Sequence, residues 1–355
     1  ERVYARAVEV MADYLHHNYS SAGSSTEPVG YTSFGYVWGA EALLAMARRG
    51  ENLLVSTPYL AVPNWQVQCL GPYGGAFYSF GDGGSHAPTF DELHLRKAAF
   101  PRDPTVDFLF QQVAGELIDD PDQYLDRRGR PFLAAALATD PDGTDHQFGA
   151  DLDLPTSWVD PDRGALISRT DWSEDAVKFH IECRPDTFYA GHEHADRGHF
   201  VLSAHGRTWA PDGFRSVESR YHSVVLIDGQ GQGYFPPPGR VLQIETGESA
   251  DFLVCDQKYA YDWFYPKAIL GLPLDHPKFQ LERFAHFLSE AEEFQARFPE
   301  FETDDHPNVV RAFDGVPLGD SGMWDEDPWS VRAAHNPVEF AFRTGGLIRG
   351  RHPYV

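Results

Sequence analysis

Cysteine is nearly absent: the 355 residues contain only Cys69, Cys183 and Cys255. An odd set with no CxxC spacing indicates neither a disulfide framework nor a thiolate zinc site. Positive charge is also thin. Lys and Arg number 29 against 53 Asp and Glu, a formal charge of −24, and only Lys97, Lys178, Lys258, Lys267 and Lys278 are lysines. Such a surface repels nucleic acid and anionic membranes, so a polyanionic ligand would need a locally basic or metal-bearing cleft. No apolar run approaches membrane-spanning length, and no signal peptide opens the chain. Internal repeats and low-complexity tracts are lacking too. The chain opens without Met inside a helical pattern and stops at what reads as a strand edge, Gly346–Val355. It is expected to be an internal part of a longer protein.

Aromatic residues are plentiful. The 25 Phe, 16 Tyr and 8 Trp suit an ordinary core first and stacking on sugar rings second. The length predicts two structural regions. Early on, the pattern is helical: Glu1–Tyr19, with Val3, Val8, Met11 and Leu15 on one face, then Val37–Arg49 and Tyr59–Leu70. Phe90–Phe100 and Val106–Leu117 follow, preceded by the capping residues Thr89 and Thr105. The acidic, aliphatic-poor run Asp140–Asp153 marks a boundary. Beyond it the period changes to two. Ala165–Ser168, Ala176–Glu182, His199–Ala204, Ser223–Ile227, Val241–Glu245 and Phe252–Cys255 read as antiparallel strands, interrupted by a helical stretch at Phe279–Phe298.

The densest polar cluster is Gly191-His192-Glu193-His194-Ala195-Asp196-Arg197-Gly198-His199, which runs into the apolar Phe200-Val201-Leu202. Residues two apart point the same way in an extended chain, so His192 and His194 can serve one site. Asp212 follows in Pro211-Asp212-Gly213, and His222 precedes Val224–Ile227. Imidazoles plus a carboxylate suit a zinc-like ion. The same residue types also suit a set of hydrogen-bonded histidines at sheet corners, and the residues alone leave both open.

The run Gly191–Phe200 resembles the G-H-x-H-x-D-x-x-x-F signature of heparinase II/III-type polysaccharide lyases. Arg169–Trp172, Asp212-Gly213 and Tyr221–Gly229 occupy the expected surroundings. Upstream, Phe80-Gly81-Asp82 matches an F-G-D segment, and Glu27–Tyr31 matches the segment that carries a tyrosine. The resemblance implies an α+β chain: part of an (α/α) toroid-like helical domain over 1–145, then part of an antiparallel β-sandwich over 155–355. It implies Tyr31 as catalytic acid/base with His192 as its partner. His194, Asp212 and His222 become ligands of a divalent ion, most simply zinc, in a structural role. Glu193 and Asp196 are expected to shape the loop, and His199 to face its strand neighbours. Arg169, Trp65, Tyr73 and Tyr78 are candidates for substrate contact, Arg169 equally for a structural ion pair; Phe77 is a further stacking candidate. A secreted or periplasmic location is implied by the family alone. Two departures stand out. The family's upstream histidine is expected to lie before the first residue of this chain, and Glu27-Pro28 stands where E-G is usual.

The implied activity is β-elimination on a uronic-acid-containing glycan. Removing a uronate's C5 proton requires the neighbouring carboxylate to be neutralised, and acid–base groups such as Tyr31 and His192 would each contribute about 10²–10⁴-fold. Three other readings use the same residues: a uronyl C5-epimerase resembling dermatan-sulfate epimerases, a metal-dependent hydrolase, and a glycan-binding protein without catalysis.

Overall fold

The computed structural model describes residues 2–25, 27–71, 80–83, 92, 96, 103–109, 154–184, 194–213, 219–227, 231–232, 239–261, 263–264, 334–335 and 338–355, with backbone alone at 33–38, 40–41, 259, 263–264 and 334–335. The longer helices precede the strands, an α+β arrangement. The expected boundary at 140–153 and the helical stretch at 279–298 lie outside the described residues.

Helix α1 (Arg2–Asn18) buries the stripe Tyr4, Val8, Met11, Ala12 and Leu15, the i, i+4, i+7 spacing of an amphipathic helix. Val3, expected on that face, is 84% exposed; Tyr4 takes its place because it is in phase with Val8. Helix α2 (Val29–Arg48) begins eight residues before the expected Val37. Pro28 precedes it with φ −54° and ψ 149°, an extended residue whose fixed φ suits a helix entry. Gly30, Gly35 and Gly39 had hidden the apolar period. Helix α3 (Leu53–Ser56), a 3₁₀ turn at Pro58–Ala61 and α4 (Val62–Cys69) follow. Of α4, all but Asn64 is buried, so it is a core helix rather than an amphipathic one.

Strands β1 (Ser157–Asp160), β2 (Ala165–Arg169), β3 (Lys178–Glu182), β4 (His199–Ala204) and β5 (Arg207–Ala210) form an antiparallel meander in that order. A second antiparallel sheet joins β6 (Arg240–Thr246), β7 (Ala250–Asp256) and β10 (Phe342–Ile348), with β7 in the middle. β8 (Trp263–Phe264) pairs with β9 (Ala334–His335). Strands β1, β5, β8 and β9 were not anticipated, and the expected strand edge at Gly346 overlaps only the end of β10. Ser223–Ile227, expected to be a strand, is not one: its Ser223 and Val225 carbonyls accept from Arg343 Nη1 (2.5 Å) and Tyr261 Oη (2.6 Å). Val225 is 59% exposed.

Every residue of β2 is buried, because the first sheet is covered on both faces. Ala165 and Ile167 pack with Val201 and Trp158 into the helical core. Leu166 points the other way and packs with Phe179, Ile181, Leu253, Cys255 and Leu347 of the two sheets. The molecule is thus layered as helices, five-stranded sheet, three-stranded sheet. All three cysteines are free and buried in these cores.

Polar clamps hold the layers. Asp160 Oδ2 accepts from Ser20 and Ser24 after α1, while Oδ1 accepts the Asp162 and Arg163 amides at 2.9 and 3.0 Å. At the end of α4, the Gln68 and Leu70 carbonyls accept from Arg169 Nη2 (3.0 Å) and Lys178 Nζ (2.7 Å). Helix C-terminal carbonyls lack intrahelical donors, so the donors of Arg169 and Lys178 on the sheet cap α4. In the second sheet, Asp251 accepts from Ser157 (2.6 Å), Ser168 (2.5 Å), Arg349 and the Gly247 amide (3.0 Å).

Burial alone would raise the Asp251 carboxyl, but the Arg349 bond, then Ser157 and Ser168, hold it below the ordinary carboxylate value. A depressed folded pKa gives stability that is present above the unfolded value, about 3.9, and is lost as pH falls through the folded one. Asp251→Asn should therefore cost about 2–4 kcal/mol near neutrality. In urea titrations between pH 3 and 7, the gap to wild type should close as pH falls below about 4. A gap independent of pH would refute this role for the carboxylate.

Candidate active site between the helical layer and the sheet

The first sheet turns an unusually polar face toward the helices. Phe179 and Ile181 of β3 point to the second sheet, which leaves Lys178, His180 and Glu182 on the helical side by strand alternation. His199 of β4 shares that side, and the Phe80 ring lies against both histidines, with centroids 4.5 Å from His180 and 5.2 Å from His199. Loops at this end of the sheet supply the rest: 194–198 before β4, Asp212 after β5, and His222 after the 3₁₀ turn Ser219–Tyr221.

The 194–198 loop is held tightly. Gln232 accepts the Arg197 amide at 2.6 Å and donates to the Arg197 carbonyl at 2.7 Å, and Ser219 Oγ donates to the Ala195 carbonyl at 2.6 Å. Gly198 closes the loop at φ +80°, and a Cβ there would fall 1.6 Å from Gln257 Nε2. Only glycine meets both conditions.

Asp212 sits at the centre, buried. Its Oδ1 lies 2.5 Å from His222 Nδ1 and 3.2 Å from His199 Nε2, and its Oδ2 accepts the Gly81 amide. His199 Nδ1 accepts the Ser223 amide at 2.9 Å, so its Nε2 carries the hydrogen that faces Asp212. His194 Nε2 lies 2.8 Å from Asp82 Oδ1. Burial would raise the Asp212 carboxyl, but the His222 hydrogen bond and the electrostatic attraction of the surrounding imidazoles His199, His222 and His194 bring it below its usual value. Burial lowers His180 and His199 despite Glu182 and Asp212 beside them. Glu182 is also buried, yet Arg184 and His180 draw it far below the ordinary carboxylate value.

His194, Asp196, Asp212 and His222 each offer a ligating atom, and these atoms lie within 4.8 Å of one another, all on buried residues. Two nitrogens and two oxygens suit a divalent metal ion. His194 Nδ1 is buried with no hydrogen-bond partner among the described residues, a lone pair that a cation would satisfy. The residues therefore fit a metal ion. The expected trio His194, Asp212 and His222 is brought together. Asp196, expected only to shape the loop, joins them. His199, expected to face strand neighbours, instead abuts Asp212 and meets the His222 ring edge-on, centroids 5.3 Å apart.

A cleft beside the cluster is lined by Pro28, Phe80, Gly81, Arg184, His194, Asp196 and Arg197. Tyr31 stands in the first turn of α2, half-buried, one turn from the cleft wall made by Pro28. Gly83 binds this helix start to the site, since a Cβ on it would lie 2.8 Å from Pro28 Cβ. Arg169 lies away from the cleft lining: its guanidinium covers Trp172 at 3.6 Å and donates to Gln68. Trp65 is 4% exposed in the helical core, which leaves no ring face for a sugar. His192, Glu193, Tyr73, Phe77 and Tyr78 lie outside the described residues.

No family model and no curated protein matches the chain. Solved structures do. A heparinase III gene product aligns over 71% of this chain and 37% of its own, with 13% identity and a TM-score of 0.50. Over that span the chain shares the fold of heparinase III. Another structure of heparinase III gives 14% identity, 72% and 39% coverage and a TM-score of 0.48. The heparan sulfate lyase HepC from Pedobacter heparinus gives 16%, 71%, 37% and 0.46. The chain thus spans less than two fifths of the length of these structures.

Sequence reading passed over Asp82, Arg184 and the ligand role of Asp196. The F-G-D match contained Asp82 and the G-H-x-H-x-D match contained Asp196, but neither motif said which side chains meet. For the cluster as a whole, zinc titration should raise the melting temperature, because a ligand of the folded state stabilises it by mass action. His222→Ala should abolish that rise. A wild type whose melting ignores divalent ions would exclude the metal reading.

Proposed function

We propose that this chain carries part of the active site of a polysaccharide lyase acting on a uronic-acid-containing glycan by β-elimination. The observation that carries the reading is the cleft itself. It joins the start of the helix bearing Tyr31 to the His194 loop and to two arginines, in a protein whose formal charge is −24. Guanidinium groups beside a cleft are what an anionic sugar needs on so acidic a surface. The fold shared with heparinase III supports the same assignment. We read the helices as the start of an (α/α) toroid and the paired sheets as part of a β-sandwich, divided between residues 145 and 155. A secreted or periplasmic location goes with this reading.

Arg184 and Arg197 would neutralise the uronate carboxylate, so that charge developing on it is stabilised as C5 loses its proton. Tyr31 would exchange protons at C5 and at the C4–O oxygen, with His192 as its partner. The C5–H and C4–O bonds break, a C4–C5 double bond forms, and the leaving oxygen gains a proton without consuming water. A divalent ion in the His194, Asp196, Asp212 and His222 set would supply structural cross-linking of these loops. The neutral imidazole of His199 would hold Asp212 in place rather than move protons.

A panel of uronate glycans, read by the ultraviolet absorbance of the unsaturated product, tests the reading in the full-length protein. Tyr31→Phe should retain fold and glycan binding and lower turnover by about 10²–10⁴-fold. Retained turnover in that variant would refute the proton-transfer role. Exchange of the C5 hydrogen without unsaturated product would make the protein an epimerase, and saturated chain ends would make it a hydrolase.

A further inference from the structure

We infer that Asp82, from the helical layer, is the positioning residue of the metal cluster: it selects the nitrogen that His194 offers to the ion. The inference rests on the metal reading above and deepens it. Asp82 Oδ1 lies 2.8 Å from His194 Nε2. A carboxylate only accepts, so the hydrogen resides on Nε2 and the lone pair on Nδ1. That Nδ1 is the buried atom without a partner among the described residues, and His194 belongs to the ligating group. The neighbouring residue does the same for a second ligand. The Gly81 amide holds Asp212 Oδ2, which leaves Oδ1 directed at His222 and His199.

Consecutive residues of one segment therefore orient two ligands contributed by separate loops of the sheet region. The next residue, Gly83, packs against Pro28 and Gly30 at the start of α2. Ligand geometry and the seat of Tyr31 share this one support. The F-G-D motif is accordingly an orienting device, and Asp82 itself need not touch the ion.

Residues that fix a ligating histidine from behind typically change metal affinity by about 10–100-fold when removed. Zinc affinity should be measured by competition with a chromogenic chelator for wild type, Asp82→Ala and Asp82→Asn, alongside melting in a chelator without zinc. Asp82→Ala should bind zinc about 10–100-fold more weakly, with Asp82→Asn, which keeps one acceptor oxygen, in between. The visible absorption of the cobalt-loaded forms should shift with the ligand field. If Asp82→Ala does not fold, the affinity of Asp82→Asn decides: a loss of at least threefold supports the inference. A wild type that binds zinc while the folded variants match it within twofold overturns this inference and leaves the metal reading standing. Lowered melting without a change in affinity does the same, since it marks a merely structural contact. A wild type that binds no zinc or cobalt overturns both.

Discussion

A sheet face that carries Arg169, Lys178, His180, Glu182 and His199 cannot be buried unless each group finds a partner. Unpaired buried polar groups cost free energy comparable to the hydrogen bonds they lose, and charges cost more. The helical layer answers that demand at two places. The carbonyl end of α4 takes Arg169 and Lys178, and the 80–83 segment takes Asp212, His194 and the faces of two histidine rings. Because these partners are local and directional, they fix how the helices lie on the sheet. The cleft follows from that fit.

Burial also tunes the chemistry. Desolvation lowers His180 and His199, while the carboxylates Glu182 and Asp212 remain ionised because cations and imidazole donors surround them. The two arginines at the cleft lie beside the carboxylates Glu182 and Asp196, so the site is charged in detail but close to balanced. A highly acidic protein can thereby present a small region hospitable to an anion.

The opposite face of the same sheet is apolar and packs on β7 and β10 with little polar content beyond Asp251 and its donors. This division of labour within one sheet separates stability from chemistry. Strand alternation lets a single strand such as β3 serve both: Phe179 and Ile181 hold the sheets together, while Lys178, His180 and Glu182 face the helices.

Local pattern alone was enough to determine several things. The i, i+4 stripe of α1 and the period-two runs of β2, β4 and β7 are sequence-local, and so are the His194–Asp196 motif and the net charge. The trio His194, Asp212 and His222 was legible only because a family pattern lent it a meaning, since spacing over 28 residues carries no distance. Tertiary structure decided the rest. Val37 was expected to start α2, but packing of Pro28 against Gly83 places the start at Val29. Apolar Ser223–Ile227 looked like a strand, yet side-chain donors from Arg343 and Tyr261 take its carbonyls. Asp82 met His194 across 112 residues of chain. A contact of that kind depends on how two layers dock, and docking is set by the summed demand of buried polar groups, which no short stretch of sequence contains.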